Sequence, residues 1–131
     1  MRKSPEKNLG GSVVLVLSAA NELLILKRPD WVSWAPSKWG LPGGKIEEGE
    51  TPMEAAIREA LEETTLSIQN LKDVGLPLDK GLYSFYTSAY MGQVQIDYEH
   101  EDWAWVSRAQ IKNYSLAPNL LSMYDWVLKY G

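Results

Sequence analysis

The chain has 131 residues, 45% of them hydrophobic and 23% charged, the balance of one globular domain over 1–131 and not of a disordered segment. A net charge of −4 argues against an extended phosphate-tracking groove for DNA or RNA, while leaving room for a local basic pocket. With no cysteine there are no disulfides, thiolate metal sites or cysteine nucleophile, and no apolar run approaches the ~18 residues of a membrane span.

The N-terminal run MRKSPEKNLGG is polar and lacks the apolar stretch of a signal peptide, so a soluble cytoplasmic protein is the expectation. "SVVLVLS" (12–18) and "ELLILKR" (22–28) read as two buried strands joined by Ala-Ala-Asn into a hairpin. Residues 29–40 form a long loop with Trp31, Trp34 and Trp39, and the turn-rich "LPGGKIEEGE" follows. Thr51 as N-cap, Pro52 at the first helical position and Glu54 completing a capping box predict a helix over 52–64. Met53, Ile57, Ala60, Leu61 and Thr64 are expected to face its core side. "LSIQNL" and "LYSFYTSAYM" read as strands, as do the shorter "GQVQID" and "DWAWVS" around an acidic turn, Tyr98-Glu99-His100-Glu101. Ser107 caps a short helix over 108–113. A last helix around 118–130 is expected to bury Leu120, Tyr124, Val127 and Leu128. Strands with helices between and after them give a mixed sheet covered on two faces.

The stretch "REALEETTL" poses a chemical problem. Glu59, Glu62 and Glu63 fall within an arc of about 100° on the helix. Their repulsion, and the unfavourable macrodipole at a helix C-terminus, cost on the order of 1 kcal/mol. Arg58 offsets only part of this. A solvated acidic face is one explanation and a bound divalent cation is another. Hard carboxylate oxygens without His or Cys nearby suit Mg²⁺ or Mn²⁺.

Gly44, Glu50, Arg58, Glu59, Glu62 and Glu63 spell G-x5-E-x7-R-E-x-x-E-E, preceded by "WGLPGG". This resembles the signature box of the Nudix hydrolases, MutT-like members included. The resemblance implies an α/β/α sandwich and hydrolysis of a pyrophosphate linkage in a nucleoside diphosphate joined to another group, by water attack at phosphorus with Mg²⁺. It implies metal ligation by Glu59 and Glu63, by Glu62 directly or through water, and by the carbonyl of Gly43. Arg58 would orient Glu59, and Glu50 would pair with Arg58 and hold the loop that begins at Gly44. Lys45 and Arg28 would meet phosphate. Glu99 stands in an E-x-x-x-W-x-W-V frame where many members carry a late glutamate, as general base or further ligand; Glu101 is the alternative, and a surface role is open to either.

Trp34 or Trp31 could stack on a base or anchor the loop, whereas Trp39 is expected in the core. Asn119 is either an N-cap or, as in MutT-type members, a reader of a purine edge. His100 reads as an exposed loop residue. Thr65 departs from the pattern, which has Gly there; the expectation is strain at Thr65 or another helix exit. The substrate expected is a nucleoside triphosphate or dinucleoside polyphosphate. ADP-ribose, a nucleotide sugar or RNA 5′ ends are alternatives, as is a catalytically silent nucleotide sensor. A small-molecule partner is expected, with the chain as monomer or homodimer.

Overall fold

Two strands decide the layering. β1 (Gly11–Val16) sends Val14 and Val16 to one side and Leu15, with Leu17 beyond it, to the other. β2 (Leu23–Lys27) does the same with Leu24 and Leu26 against Leu23 and Ile25. Both faces are covered, so these strands read as continuous apolar runs and not as alternating ones. The computed structural model describes residues 9–131; the first eight residues of the polar N-terminal run lie outside it.

On one side, Val14, Val16, Leu24 and Leu26 pack with Ala56 and Ala60 of α1 (Pro52–Thr64), and with Leu66, Ile68, Leu71 and Phe85. On the other, Leu15, Leu17, Leu23 and Ile25 meet Ile111 of α2 (Arg108–Ile111) and Leu120, Met123, Tyr124 and Val127 of α3 (Leu120–Tyr130). Helices therefore cover both sides of a mixed sheet layer, the α/β/α sandwich expected from the sequence. Among the described residues no helix is long and apolar enough to cross a membrane.

β1 lies in the middle of the larger sheet. It pairs antiparallel with β4 (Gly43–Lys45) and parallel with β7 (Leu82–Thr87), and β7 pairs with β6 (Lys72–Asp73). β2 belongs to a second sheet, between β3 (Trp39–Gly40) and β9 (Asp102–Val106). The hairpin expected between β1 and β2 exists only at its root, where Leu17 bridges Leu23 and Asn21, at φ 60°, turns the chain. Beyond that bridge the two strands join different sheets.

"LYSFYTSAYM" divides at Ser88 into β7 and β8 (Ala89–Met91), and β8 pairs with β5 (Ser67–Gln69). "GQVQID" is not a strand. Gly92, at φ 102°, turns the chain away, and the amides of Gln95 and Asp97 donate to carbonyls at the end of α1. Ser107 caps as expected, but its helix ends at Ile111, and the last helix begins at Leu120. Leu128 is 39% exposed; Met123 fills the core instead.

The capping box at Thr51 and Glu54 is present in both directions, at 3.1 and 2.8 Å. The buried face of α1 matches the expected one at Ala60 and Thr64, with Ile57 packed against the core, and differs elsewhere. Met53 and Leu61 are exposed, while Ala55, Ala56, Ala60, Glu63 and Thr64 are buried. Small residues let the helix lie close on the sheet. At ~100° per residue Glu63 falls near the centre of that arc.

Thr65 does take the left-handed conformation, at φ 64°, and its N–H closes the helix on the Leu61 carbonyl. Its hydroxyl donates to the Gln93 carbonyl at 2.6 Å. A β-branched residue there costs about 1–2 kcal/mol, set against a hydrogen bond of about 1 kcal/mol and a glycine's own entropic cost of about 0.5–1 kcal/mol. Thr65→Gly is therefore expected to change stability by less than about 1 kcal/mol in thermal melts.

Candidate active site

The last two turns of α1 meet the chain's close-packed Gly-Gly step. A Cβ at Gly43 would overlap the Ser12 carbonyl, and one at Gly44 would overlap the Glu59 carboxylate. Gly43 has no room for a side chain, and the Glu59 carboxylate fills the space over Gly44, so β4 can lie against β1 and α1 together. Gly43 N–H donates to Glu63 Oε1 at 2.9 Å. Gly44→Ala meets only the mobile end of Glu59. The fold should survive while that carboxylate is displaced, with a loss of activity of about 10- to 100-fold at unchanged melting temperature.

Glu63 is 7% exposed. Burial pushes its carboxyl up to about 9, and the nearby carboxylates of Glu59 and Asp97 push the same way against the Gly43 N–H. Burial also raises Glu59, with Arg58 opposing. Buried Glu63 beside partly buried Glu59 leaves two carboxyl groups that one cation would satisfy.

Arg58 organises the neighbours. Its Nε and Nη2 donate to the two oxygens of Glu50 at 2.6 and 3.1 Å, and Nη2 also donates to the Lys45 carbonyl at 3.0 Å. Nη1 reaches Glu62 at 3.1 Å and lies 3.4 Å from Glu59. The hydrogen bonds to Arg58 hold Glu50 below the usual carboxylate range, and Glu50 in turn raises Arg58. The Glu50–Arg58 pair thus ties the loop after β4 to the helix. Glu62 is turned outward, its side chain 57% exposed.

These residues fit a divalent cation of the Mg²⁺ type, which takes hard oxygens from one or two carboxylates and completes its shell with water and substrate phosphate. Among the described residues no three His, Asp or Glu side chains close a cage unaided, so Glu59 and Glu63 are the pair to start from.

Arg28 lies just past β2. Burial lowers its pKa, and the charges of Glu63 and Glu99 oppose that shift. Its Nε donates to the Trp34 carbonyl at 2.8 Å, and the guanidinium lies 5.1 Å from the centre of the Trp34 ring. Arg28, Trp34 and Asn119 share the lining of a cavity of about 80 Å³ with Leu41, Leu82 and Met123. Asn119, at φ 70°, makes no side-chain capping bond, which leaves its amide free of the N-cap role. The Lys45 side chain is exposed on β4, and Trp31 is exposed in its loop. Trp39 is half-buried against Tyr114, ring centres 5.0 Å apart.

The late acidic turn holds what the sequence did not single out. Asp97 lies close enough to Glu63 to act on its charge, and His100 Nδ1 is 2.8 Å from Asp97 Oδ1. The His100 side chain is 6% exposed, so it is not the exposed loop residue expected. The Asp-x-x-His spacing was the available signal. Glu101 points elsewhere: its carboxylate is 3.7 Å from Lys27 Nζ.

A family model of the NUDIX domain matches residues 8–127. Over 114 residues the chain is 32% identical to a putative 8-oxo-dGTP diphosphatase of Bacillus subtilis (strain 168), spanning 83% of this chain and 72% of that protein. Over 64 residues it is 41% identical to an oxidized purine nucleoside triphosphate hydrolase of Mus musculus, 49% of this chain and 39% of that one. The crystal structure of the MutT protein from Methanosarcina mazei Go1 matches with a TM-score of 0.73 at 25% identity, over 96% of this chain and 98% of that one. The layered fold and the acidic helix end define a hydrolase of the α/β class. The chain belongs to the NUDIX domain family, an enzyme family of pyrophosphohydrolases acting on nucleotides.

Proposed function

We propose that the protein is a Mg²⁺-dependent pyrophosphohydrolase of small nucleotides, with a nucleoside triphosphate as the preferred substrate. The observation that carries this reading is the carboxylate pair at the end of α1: Glu63 buried and accepting from Gly43 N–H at 2.9 Å, and Glu59 lying over Gly44, 3.4 Å from Arg58. Nucleoside triphosphates come first because the two relatives described above carry names of that chemistry; a dinucleoside polyphosphate fits the same polar groups.

Each residue then has a task. Glu59 and Glu63 would hold the cation, with Glu62 beside them on the helix. Arg58 fixes Glu59, and Glu50 fixes Arg58. Arg28 and Lys45 bind phosphate oxygens. Trp34 stacks on the base, a contact of about 1–3 kcal/mol in nucleic-acid systems, and the Asn119 amide reads its edge. When bound, Mg²⁺ supplies a Lewis acid that screens the phosphate charge and activates water. Glu99 accepts the proton of the attacking water.

The test is a screen of nucleoside triphosphates, dinucleoside polyphosphates, ADP-ribose, nucleotide sugars and 5′-triphosphorylated RNA, with and without Mg²⁺, and with products identified. Turnover of a triphosphate only with the cation is expected. Preference for ADP-ribose, nucleotide sugar or RNA ends would reassign the substrate. No turnover on any nucleotide would leave a silent sensor.

A further inference from the structure

Residues 92–101 cross the C-terminal end of α1 and are pinned on both sides of the acidic turn. On the near side, Thr65 Oγ1 donates to the Gln93 carbonyl at 2.6 Å. Gln95 N–H donates to the Thr64 carbonyl at 2.9 Å, and Asp97 N–H to the Glu63 carbonyl at 3.2 Å. These contacts satisfy helix-end carbonyls that otherwise lack partners. On the far side, Glu101 N–H donates to the Lys27 carbonyl at 2.9 Å.

Only Tyr98, Glu99 and His100 lie between the two anchors. The turn's own backbone contact, His100 N–H to the Asp97 carbonyl, is 3.4 Å, longer than an ordinary hydrogen bond. The short contact is between side chains: His100 Nδ1–H donates to Asp97 Oδ1 at 2.8 Å. These two side chains are 6% and 16% exposed, while Tyr98 beside them is 89% exposed. An imidazole buried in a solvated turn costs desolvation unless its N–H is satisfied, and here Asp97 satisfies it.

We propose that Asp97 and His100 form a clamp that holds the turn carrying Glu99 against the end of α1, and so sets the place of Glu99. Both are positioning residues for hydrolysis. The clamp rests on the reading of Glu99 as proton acceptor. A glutamate on an unclamped turn would sample many arrangements, and the productive one would be correspondingly rare.

The experiment compares His100→Leu, His100→Asn and His100→Gln, each in the wild type and in a Glu99→Gln background. Steady-state kinetics with Mg²⁺ and nucleoside triphosphate, thermal melts, and amide hydrogen exchange of the metal-free protein are the readouts. His100→Leu is expected to lower kcat about 10- to 100-fold with little change in KM, and to speed exchange at residues 97–101 but not in β9. His100→Asn, whose amide N–H takes the place of Nδ1–H, should recover most of the loss, and His100→Gln should not. In the Glu99→Gln background His100→Leu should cost nothing further. An equal loss in both backgrounds, or a lower melting temperature with kcat intact, overturns the clamp. Should His100→Leu fail to fold, equal activity of the Asn and Gln variants overturns it. Loss of the clamp alone leaves a wild type with metal-dependent turnover; a wild type with none overturns the functional reading and the clamp with it.

Discussion

Glu63→Gln is expected to lower kcat by more than about 100-fold, beyond the 10- to 100-fold typical of groups that merely support a metal ligand. The metal-free protein should stay as stable as the wild type or become slightly more so. The two effects separate because Glu63 sits at the middle of the buried arc of α1, where its carboxyl is pushed up to about 9 by burial. Near neutral pH the metal-free wild type already holds a proton there. Glutamine reproduces that neutral form: its carbonyl can accept from Gly43 N–H, and its amide can donate to Glu59. What it cannot do is give up the proton and take a cation. Thermal melts with and without Mg²⁺ check this directly, since the wild type should gain stability from the cation and the variant should not. A Glu63→Gln protein that still turned over nucleotide would remove Glu63 from the site.

The second large effect is pH dependence without metal. Glu63 in the folded chain has a pKa of about 9, against ~4.3 for an unperturbed glutamate. Between those values the folded state holds a proton that the unfolded chain has released, so stability falls as pH rises. The contribution is complete below the unfolded pKa and gone once pH has passed about 9. Glu59, also raised by burial, acts in the same direction. Glu50 acts oppositely. Its carboxyl is held low by Arg58, so its contribution is present above the unfolded value and lost in acid.

On the proposed reading, Mg²⁺ would compete with the proton on Glu63. Its stabilisation should be larger at about pH 8.5 than at about pH 6, reaching about 2.7 kcal/mol when the free cation is at 100 times its Kd. Melts across pH, with chelator or with Mg²⁺, are the measurement. Glu63→Gln should flatten the alkaline fall. A metal-free protein whose stability rose towards pH 9 would contradict a buried, protonated Glu63.

The box was readable in the sequence because the chemistry fixes its spacing: Arg58 reaches Glu62 one turn on, and Glu50 approaches Arg58 from the loop. The depth of Glu63 was not readable. Hydrophobicity pointed to Met53 and Leu61 as core residues, yet both are exposed, and Ala56 and Ala60, with Ile57 beside them, carry the helix–sheet contact. Close approach of the helix, and not apolar bulk, sets that face, and it draws a carboxylate in. "GQVQID" has strand composition, but Gly92 and the free carbonyls at the end of α1 redirect it. That redirection brings Asp97 near Glu63, a proximity with no local trace in the chain. Asn119 carried two readings in the sequence, and the left-handed backbone at that position removes the side-chain cap.

The parallel pairing of β1 with β7 has a consequence for the order of assembly. Gly11–Val16 can join Leu82–Thr87 only after the whole intervening chain has been brought round, and α1 lies within that chain. Closing so long a loop is entropically costly and slow, whereas α1, with its capping box, can begin to form locally. A nascent helix would carry Glu63 in water, ionised like any surface glutamate. The strand pairing puts the sheet against which Glu63 becomes buried in place, so proton uptake would report the late closure of the molecule and not the early appearance of its helix.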